Sequence, residues 1–173
     1  MEEKERLKGL KDLSAGERAT LKRCAGKCLR EADAGALQAF YKACGGQVPV
    51  WAQERYFAAA CLACLWKEEE RRADKPLAQC LQILNRNRDT EGMDHRFRAL
   101  LDTPWNDEEG YLIAKLARLV KQVKAAGAGV SPDFERLLDD LLAWNSDSRY
   151  VQRRWMEQYQ TYSEDNTETE ENN

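Results

Sequence analysis

The stretch from Phe57 to Trp66 (FAAACLACLW) runs for ten residues without a charge. It is apolar on every side of a helical wheel, so a helix here has no face to give to water and belongs at the centre of a core. Its length is half of the ~20 residues that cross a bilayer. No longer apolar run occurs, so no membrane partner is expected. The N-terminal MEEKERLKGL mixes acids with bases ahead of no apolar segment, unlike a signal peptide, and a cytoplasmic location is the expectation. A central helix needs others around it. Only four prolines and ten glycines interrupt 173 residues, while Ala, Leu, Glu, Lys, Arg and Gln, all good helix formers, are abundant. No segment shows the period-two alternation of a strand. The expected fold is all-α, with about eight helices in two small bundles sharing an interface.

Local signals place those helices. Residues 1–13 are charged and read as a flexible N-terminus. Ser14 and Glu17 have capping-box spacing and open a helix expected over 14–30. Asp33 caps a second helix that closes at Gly45 and Gly46. Pro49 starts a third, over 50–72, whose charged exit from Lys67 to Arg72 reads as a solvated end laced by (i, i+4) ion pairs. A short helix over 76–85 follows Pro76. The polar NRNRDTEG over 85–92 is the best internal boundary and divides a half at 14–85 from a half at 93–162. Further helices are expected over 93–101, over 107–127 behind an Asp107 cap, over 131–144, and from Asn145 or Ser146 to Tyr162. Residues 163–173 hold five acids and no base and read as a disordered acidic tail. The net charge of −3 is set there; without the tail, bases outnumber acids.

Catalytic chemistry finds little support. The one histidine, His95, has no nucleophile motif near it, and no glycine-rich phosphate loop occurs. Cys61 and Cys64 have zinc-ligand spacing, and Cys24 and Cys28 would be a second pair. Zinc pairs usually sit in turns among polar neighbours, whereas Cys61 and Cys64 lie among alanines and leucines, where cysteine packs as a small hydrophobe. Neither a metal nor a cofactor is expected, nor a disulfide framework in a reducing compartment.

The bases are more informative. Arg18 to Arg30 contains five bases and no acid. On a wheel, Leu21, Cys24, Ala25 and Cys28 share one side, and Arg23, Lys27 and Arg30 fall opposite as a stripe of one sign. In 107–127, Leu112, Leu116, Leu119 and Val123 make a core stripe from which Arg118 and Lys121 point away. In the last helix Val151, Trp155 and Tyr162 share a side, with Tyr159 beside them; Arg149 and Arg153 lie roughly opposite Val151, and Arg154 is on the flank. Arg96 and Arg98 bracket Phe97. Several such stripes on one surface would suit a phosphate backbone.

The ordered set Ser14 to Arg23 (SAGERATLKR), Ala39 to Tyr41 (AFY), the apolar helix after Trp51, Arg96 to Leu101 (RFRALL), Leu116 to Leu119 (LARL), Leu137 to Leu141 (LLDDL) with Trp144, and Val151 to Trp155 (VQRRW) closely resembles the CasB family, the small subunit of the type I-E Cascade complex of CRISPR immunity. The likeness covers about residues 10–162 and rests on order and spacing rather than on one motif. It implies an all-helical, non-enzymatic subunit that associates with its own kind along a crRNA-guided complex. It also implies contacts with the target strand and, through a basic surface, with the displaced strand of an R-loop. The family's basic positions match Lys22, Arg23, Arg96, Arg118, Arg153 and Arg154. Lys27, Arg30, Lys121 and Arg149 come from the wheels alone. Arg96 and Arg154 lie at the core margin, where Asp139 and Asp140 are candidate partners. Two departures are visible. Ala78 and Gln79 stand where the family has a glycine and a base, so no contact is expected there, and the acidic tail lies outside the pattern. Among the five tryptophans, Trp66, Trp144 and Trp155 are expected in the core, and Trp105, after Pro104, is the candidate for base stacking. The alternative class is a helical adaptor that binds protein alone.

Overall fold

The computed structural model describes residues 5–72, 75–88, 91–127 and 129–170, with the backbone alone at 87–88, 91 and 162–170. Eight α-helices are present among them: α1 (Ala15–Arg23), α2 (Ala34–Cys44), α3 (Gln53–Ala63), α4 (Leu77–Arg88), α5 (Glu91–Leu101), α6 (Tyr111–Ala126), α7 (Phe134–Leu142) and α8 (Tyr150–Glu170). No strand occurs among the described residues; Lys75 and Pro132 meet in one isolated bridge. The all-α expectation holds.

The centre is α3. Every side chain from Phe57 to Trp66 is buried, as a helix without a polar face requires. Around it α1 and α2 pack on one side and α7 on another, while α4 packs on α8 and α6. One continuous hydrophobic cluster joins both halves of the chain. The packing therefore interleaves the sequence halves: α7 sits on α3, and α4 sits with the later helices.

Several caps fall where the residues predict them. Ser14 and Glu17 close a reciprocal capping box on α1, with Glu17 N–H to Ser14 Oγ at 3.1 Å and Ser14 N–H to Glu17 Oε1 at 2.9 Å. Asp33 accepts the Ala36 N–H at 2.8 Å to cap α2, and Gly45 ends that helix at φ 66°.

Other bounds differ. α1 stops at Arg23 rather than at 30, because Gly26 turns the chain at φ 95° and lies so close to α6 that a Cβ there would be 3.1 Å from that of Ala117. α3 stops at Ala63 instead of reaching 72; the chain then turns and buries Trp66 against Phe134, ring centroids 5.6 Å apart. The charged exit is consequently not an α-helical end. Glu68–Glu70 form a 3-10 turn, Arg71 pairs with Glu68, and Glu70 reaches Lys124 of α6 at 2.9 Å. α4 continues to Arg88 through part of the expected boundary. Asp107 does not cap α6: Asn106 Oδ1 takes the Glu108 N–H at 2.8 Å in a turn, and α6 starts after Gly110. α8 starts at Tyr150, past the expected Asn145 or Ser146, and continues to Glu170, since nothing in the segment after Tyr162 breaks a helix. The acidic segment is thus helical over 163–170; residues 171–173 lie outside the described residues. At the other end, residues 1–4 lie outside the description, but 5–13 are anchored. Leu7, Leu10 and Leu13 are buried, and Glu135 accepts the N–H groups of Arg6 at 3.0 Å and Leu7 at 2.7 Å.

Candidate nucleic-acid interface

The second half of the core positions the basic residues. On α5, Phe97 is fully buried and stacks on Tyr159 of α8 with centroids 4.4 Å apart. Tyr159 donates its hydroxyl proton to Asp94, and burial together with that bond raises the phenol's pKa. With Phe97 fixed inward, Arg96 and Arg98 leave α5 toward different neighbours.

Arg96 reaches α6. It lines a cavity of about 290 Å³ with His95 and Ala99 of α5 and Lys115, Arg118 and Leu119 of α6. No acid lines this cavity. Neither His95, Lys115 nor Arg118 has an ion-pair partner among the described residues, and Lys115 Nζ donates to Thr103 Oγ1 at 2.7 Å. Arg98 faces the other way. It shares a cavity of about 500 Å³ with Arg149, Arg153, Gln152 and two acids, Asp102 and Asp147.

The α1 bases adjoin α6 from its far side. Lys22, Arg23 and Lys27 are exposed, and the turn bearing them touches Ala117 through Gly26. Lys121 of α6 donates to the Ala25 carbonyl of that turn at 3.1 Å. The α1 turn and the His95–Arg118 cavity therefore border the same helix.

Lys27 and Arg30 do not continue a helical stripe, because α1 has ended before them. Arg30 Nη1 instead points to the Asp107 carbonyl at 3.5 Å, beside the acidic turn of Asp107, Glu108 and Glu109. Arg149 donates to the Leu101 carbonyl at 2.7 Å and lies 3.5 Å from Asp102 Oδ1, so it caps the C-terminus of α5. Arg154 pairs with Asp140, as the core-margin reading allows, while Asp139 takes Arg6. Lys22, Lys27, Arg96, Arg118 and Arg153 make no side-chain hydrogen bond or ion pair with another described residue.

Trp105 departs from expectation. It is 5% exposed, with the Arg55 guanidinium 4.9 Å above its ring and its indole N–H given to Asp107. Base stacking at Trp105 is ruled out by this burial, which the loop sequence concealed because Arg55 and Asn145 arrive from distant parts of the chain. Trp66, Trp144 and Trp155 are in the core as expected. The sequence reading missed Lys115 and His95 as neighbours of the basic residues. The available signal was spacing: Lys115 precedes Arg118 by three on one helix, and His95 precedes Arg96. Among the described residues no three His, Cys, Asp or Glu side chains are grouped to hold a metal, and no helix is long and apolar enough to cross a membrane.

Fold and surface together define an all-helical protein with cations grouped on its later helices. A family model described as CRISPR-associated protein Cse2 matches residues 17–159, and the chain belongs to that family, also called CasB. A Cse2 protein of Thermus thermophilus is 32% identical over 111 residues, which are 63% of this chain and 59% of that relative. The chain thus aligns with less than two thirds of that protein. A crystal structure of a Cse2-family protein from Thermus thermophilus matches with a TM-score of 0.70 at 26% identity, covering 88% of this chain and 94% of the other. The crystal structure of M. ruber CasB matches at 0.73 with 22% identity, covering 95% and 96%. A chain from a CRISPR RNA-guided surveillance complex matches at 0.71 with 22% identity, covering 95% and 92%. At that identity the last two speak for the fold alone.

Proposed function

We propose that this chain is the non-catalytic small subunit of a type I-E Cascade complex, and that its basic surface stabilises the R-loop through sequence-independent contacts with the target and displaced DNA strands in antiviral defence. Its partners in this reading are the other Cascade subunits with their crRNA, single-stranded DNA, and further copies of itself, in the cytoplasm. The observation that carries the reading is the acid-free cavity of Arg96, Lys115 and Arg118 on a Cse2-family fold, with Lys22, Arg23 and Lys27 bordering the same helix. Physically, exchanging a DNA duplex for an RNA–DNA heteroduplex is nearly balanced, so modest contacts to a backbone tip it. Phosphate contacts carry no sequence information, which suits a subunit serving any guide.

The test is a titration of labelled random single-stranded DNA at several salt concentrations. Contact with about four phosphates gives a log–log slope near −3. A variant with Lys22, Arg23, Arg118 and Arg153 changed to Glu loses that slope if the reading holds. One observation favours the adaptor reading: Tyr41, Val50 and Trp51 are 42%, 86% and 63% exposed, and Tyr41 bonds Gln53 beside Trp51 at 3.1 Å, which is an apolar surface suited to protein. Binding to no strand at any salt, with retained association with a Cascade assembly, favours the adaptor.

A further inference from the structure

We infer that the cavity between α5 and α6 is a discrete phosphate pocket in which His95 and Lys115 act together with Arg96 and Arg118. The inference deepens the strand-binding reading and rests on it for one of its two phosphate sources.

Four cationic or proton-donating side chains converge on one concavity, and no carboxylate lines it. Elsewhere on these helices the bases are answered from within the chain: Arg154 by Asp140, Lys124 by Glu70, Arg149 by Asp102 and the Leu101 carbonyl. Like charges held together without a counter-charge repel, and the repulsion grows as their surroundings become less polar than water. An oxyanion between them turns that repulsion into attraction.

The shape agrees with the charge. A cavity of about 290 Å³ holds a tetrahedral oxyanion with several waters, since each water occupies ~30 Å³ of liquid. Arg96 and Arg118 present planar forks that match phosphate oxygens in pairs, and Lys115 offers a point charge. His95 supplies one ring N–H when neutral and two when charged. Ala99 and Leu119 complete the lining with apolar surface, next to which charge-assisted hydrogen bonds are stronger than in open water.

The arrangement is also held in place. Lys115 is tethered by its bond to Thr103 Oγ1, which itself donates to the Ala99 carbonyl at 2.7 Å. Asp94, next to His95 in sequence, is occupied by Asn85 at 3.2 Å and by the Tyr159 hydroxyl. The phosphate comes from one of two sources: the diester of a nucleic-acid strand, or a free or terminal phosphate.

The full-length chain is compared with Lys115→Gln/Arg118→Gln, and with Arg96→Gln/Arg118→Gln, which spares the Thr103 tether. Melting temperatures establish that each is folded. Calorimetry with inorganic phosphate, against chloride at matched ionic strength, reads the free-phosphate source. Salt titrations with random single-stranded DNA read the diester source. The expected result is that each variant loses one phosphate contact, lowering the log–log slope by about 0.7. Phosphate heat lost in the variants with an unchanged DNA slope assigns the pocket to a free or terminal phosphate. A lowered slope without phosphate heat in the parent assigns it to the diester. If folded variants keep both the heat and the slope of the parent, the inference is overturned. A parent that takes inorganic phosphate but no single strand at any salt overturns the strand-binding reading and leaves the pocket standing.

Discussion

Trp155 of α8 donates its indole N–H to Oδ2 of Asp140 on α7 at 2.7 Å, and both residues are buried. The other carboxylate oxygen takes Arg154, whose guanidinium also lies 5.9 Å from the Tyr150 ring. Burial pushes the Asp140 carboxyl up, and the Trp155 bond and the Arg154 charge pull it back. Asp140 thus joins two helices that share no cap and no turn.

Replacing Asp140 with Ala strands a buried indole donor and a half-buried guanidinium. The expected loss is about 3 kcal/mol of unfolding free energy, read from urea denaturation. Asp140→Asn keeps an acceptor for Trp155 and costs less. Equal losses for the two variants count against the hydrogen-bond account.

Arg153 and Arg154 are neighbours with different work. Arg154→Ala is expected to lower the melting temperature, because it unpairs Asp140. Arg153→Ala, exposed and without a partner among the described residues, stays within about 0.5 kcal/mol of the parent and lowers the DNA salt slope by ~0.7. Melting curves and strand titrations on the same two variants check both halves.

The Glu17 carboxyl is held down at about 2, from an ordinary 4.5, first by its bond from the Lys42 ammonium and then by the Ser14 N–H. A lowered acid contributes stability that is complete above its unfolded pKa and is lost as the pH falls through the folded one. The stability gap between the parent and Glu17→Gln is therefore expected to be constant above about pH 5, to shrink between 4.5 and 2, and to be gone below that. Glutamine can still close the capping box, so the gap isolates the charge. A gap that persists undiminished at about pH 2 contradicts the Lys42 assignment.

All six cysteines are free, and all but Cys24 are buried. Burial pushes the Cys44 thiol up to about 12 and the Cys64 thiol to about 11, and raises Cys61 as well. The thiolate is the reactive form, so alkylation near pH ~8 selects thiols that are exposed and can ionise. Iodoacetamide under those conditions is expected to spare Cys44, Cys61 and Cys64 in the native protein, to reach Cys24 first, and to label all six in denaturant. Peptide mapping by mass spectrometry gives the order.

Much of the local structure was legible before any coordinates. The capping box at Ser14 and Glu17, the Asp33 cap with its Gly45 stop, and the core stripe of Leu112, Leu116, Leu119 and Val123 depend on neighbours three or four residues away, and all are found. The exposed character of Arg118 and Arg153 was legible for the same reason. The fate of Lys121 and Arg30 was not. A wheel shows that they leave the core, but not that a carbonyl of another segment waits for each: Ala25 for Lys121, Asp107 for Arg30.

The sequence by itself determined that the chain is helical, that Phe57 to Trp66 lies at its centre, and which family it joins, because helix propensity, apolar period and ordered motifs are local quantities. Tertiary structure alone decided where α1 and α3 stop, that Trp105 is covered by Arg55, and that Arg96 and Arg98, two residues apart, open into separate cavities. These outcomes depend on which distant side chain fills a given space. That is settled by packing the whole core at once, as when Gly26 must turn so that Ala117 can approach it.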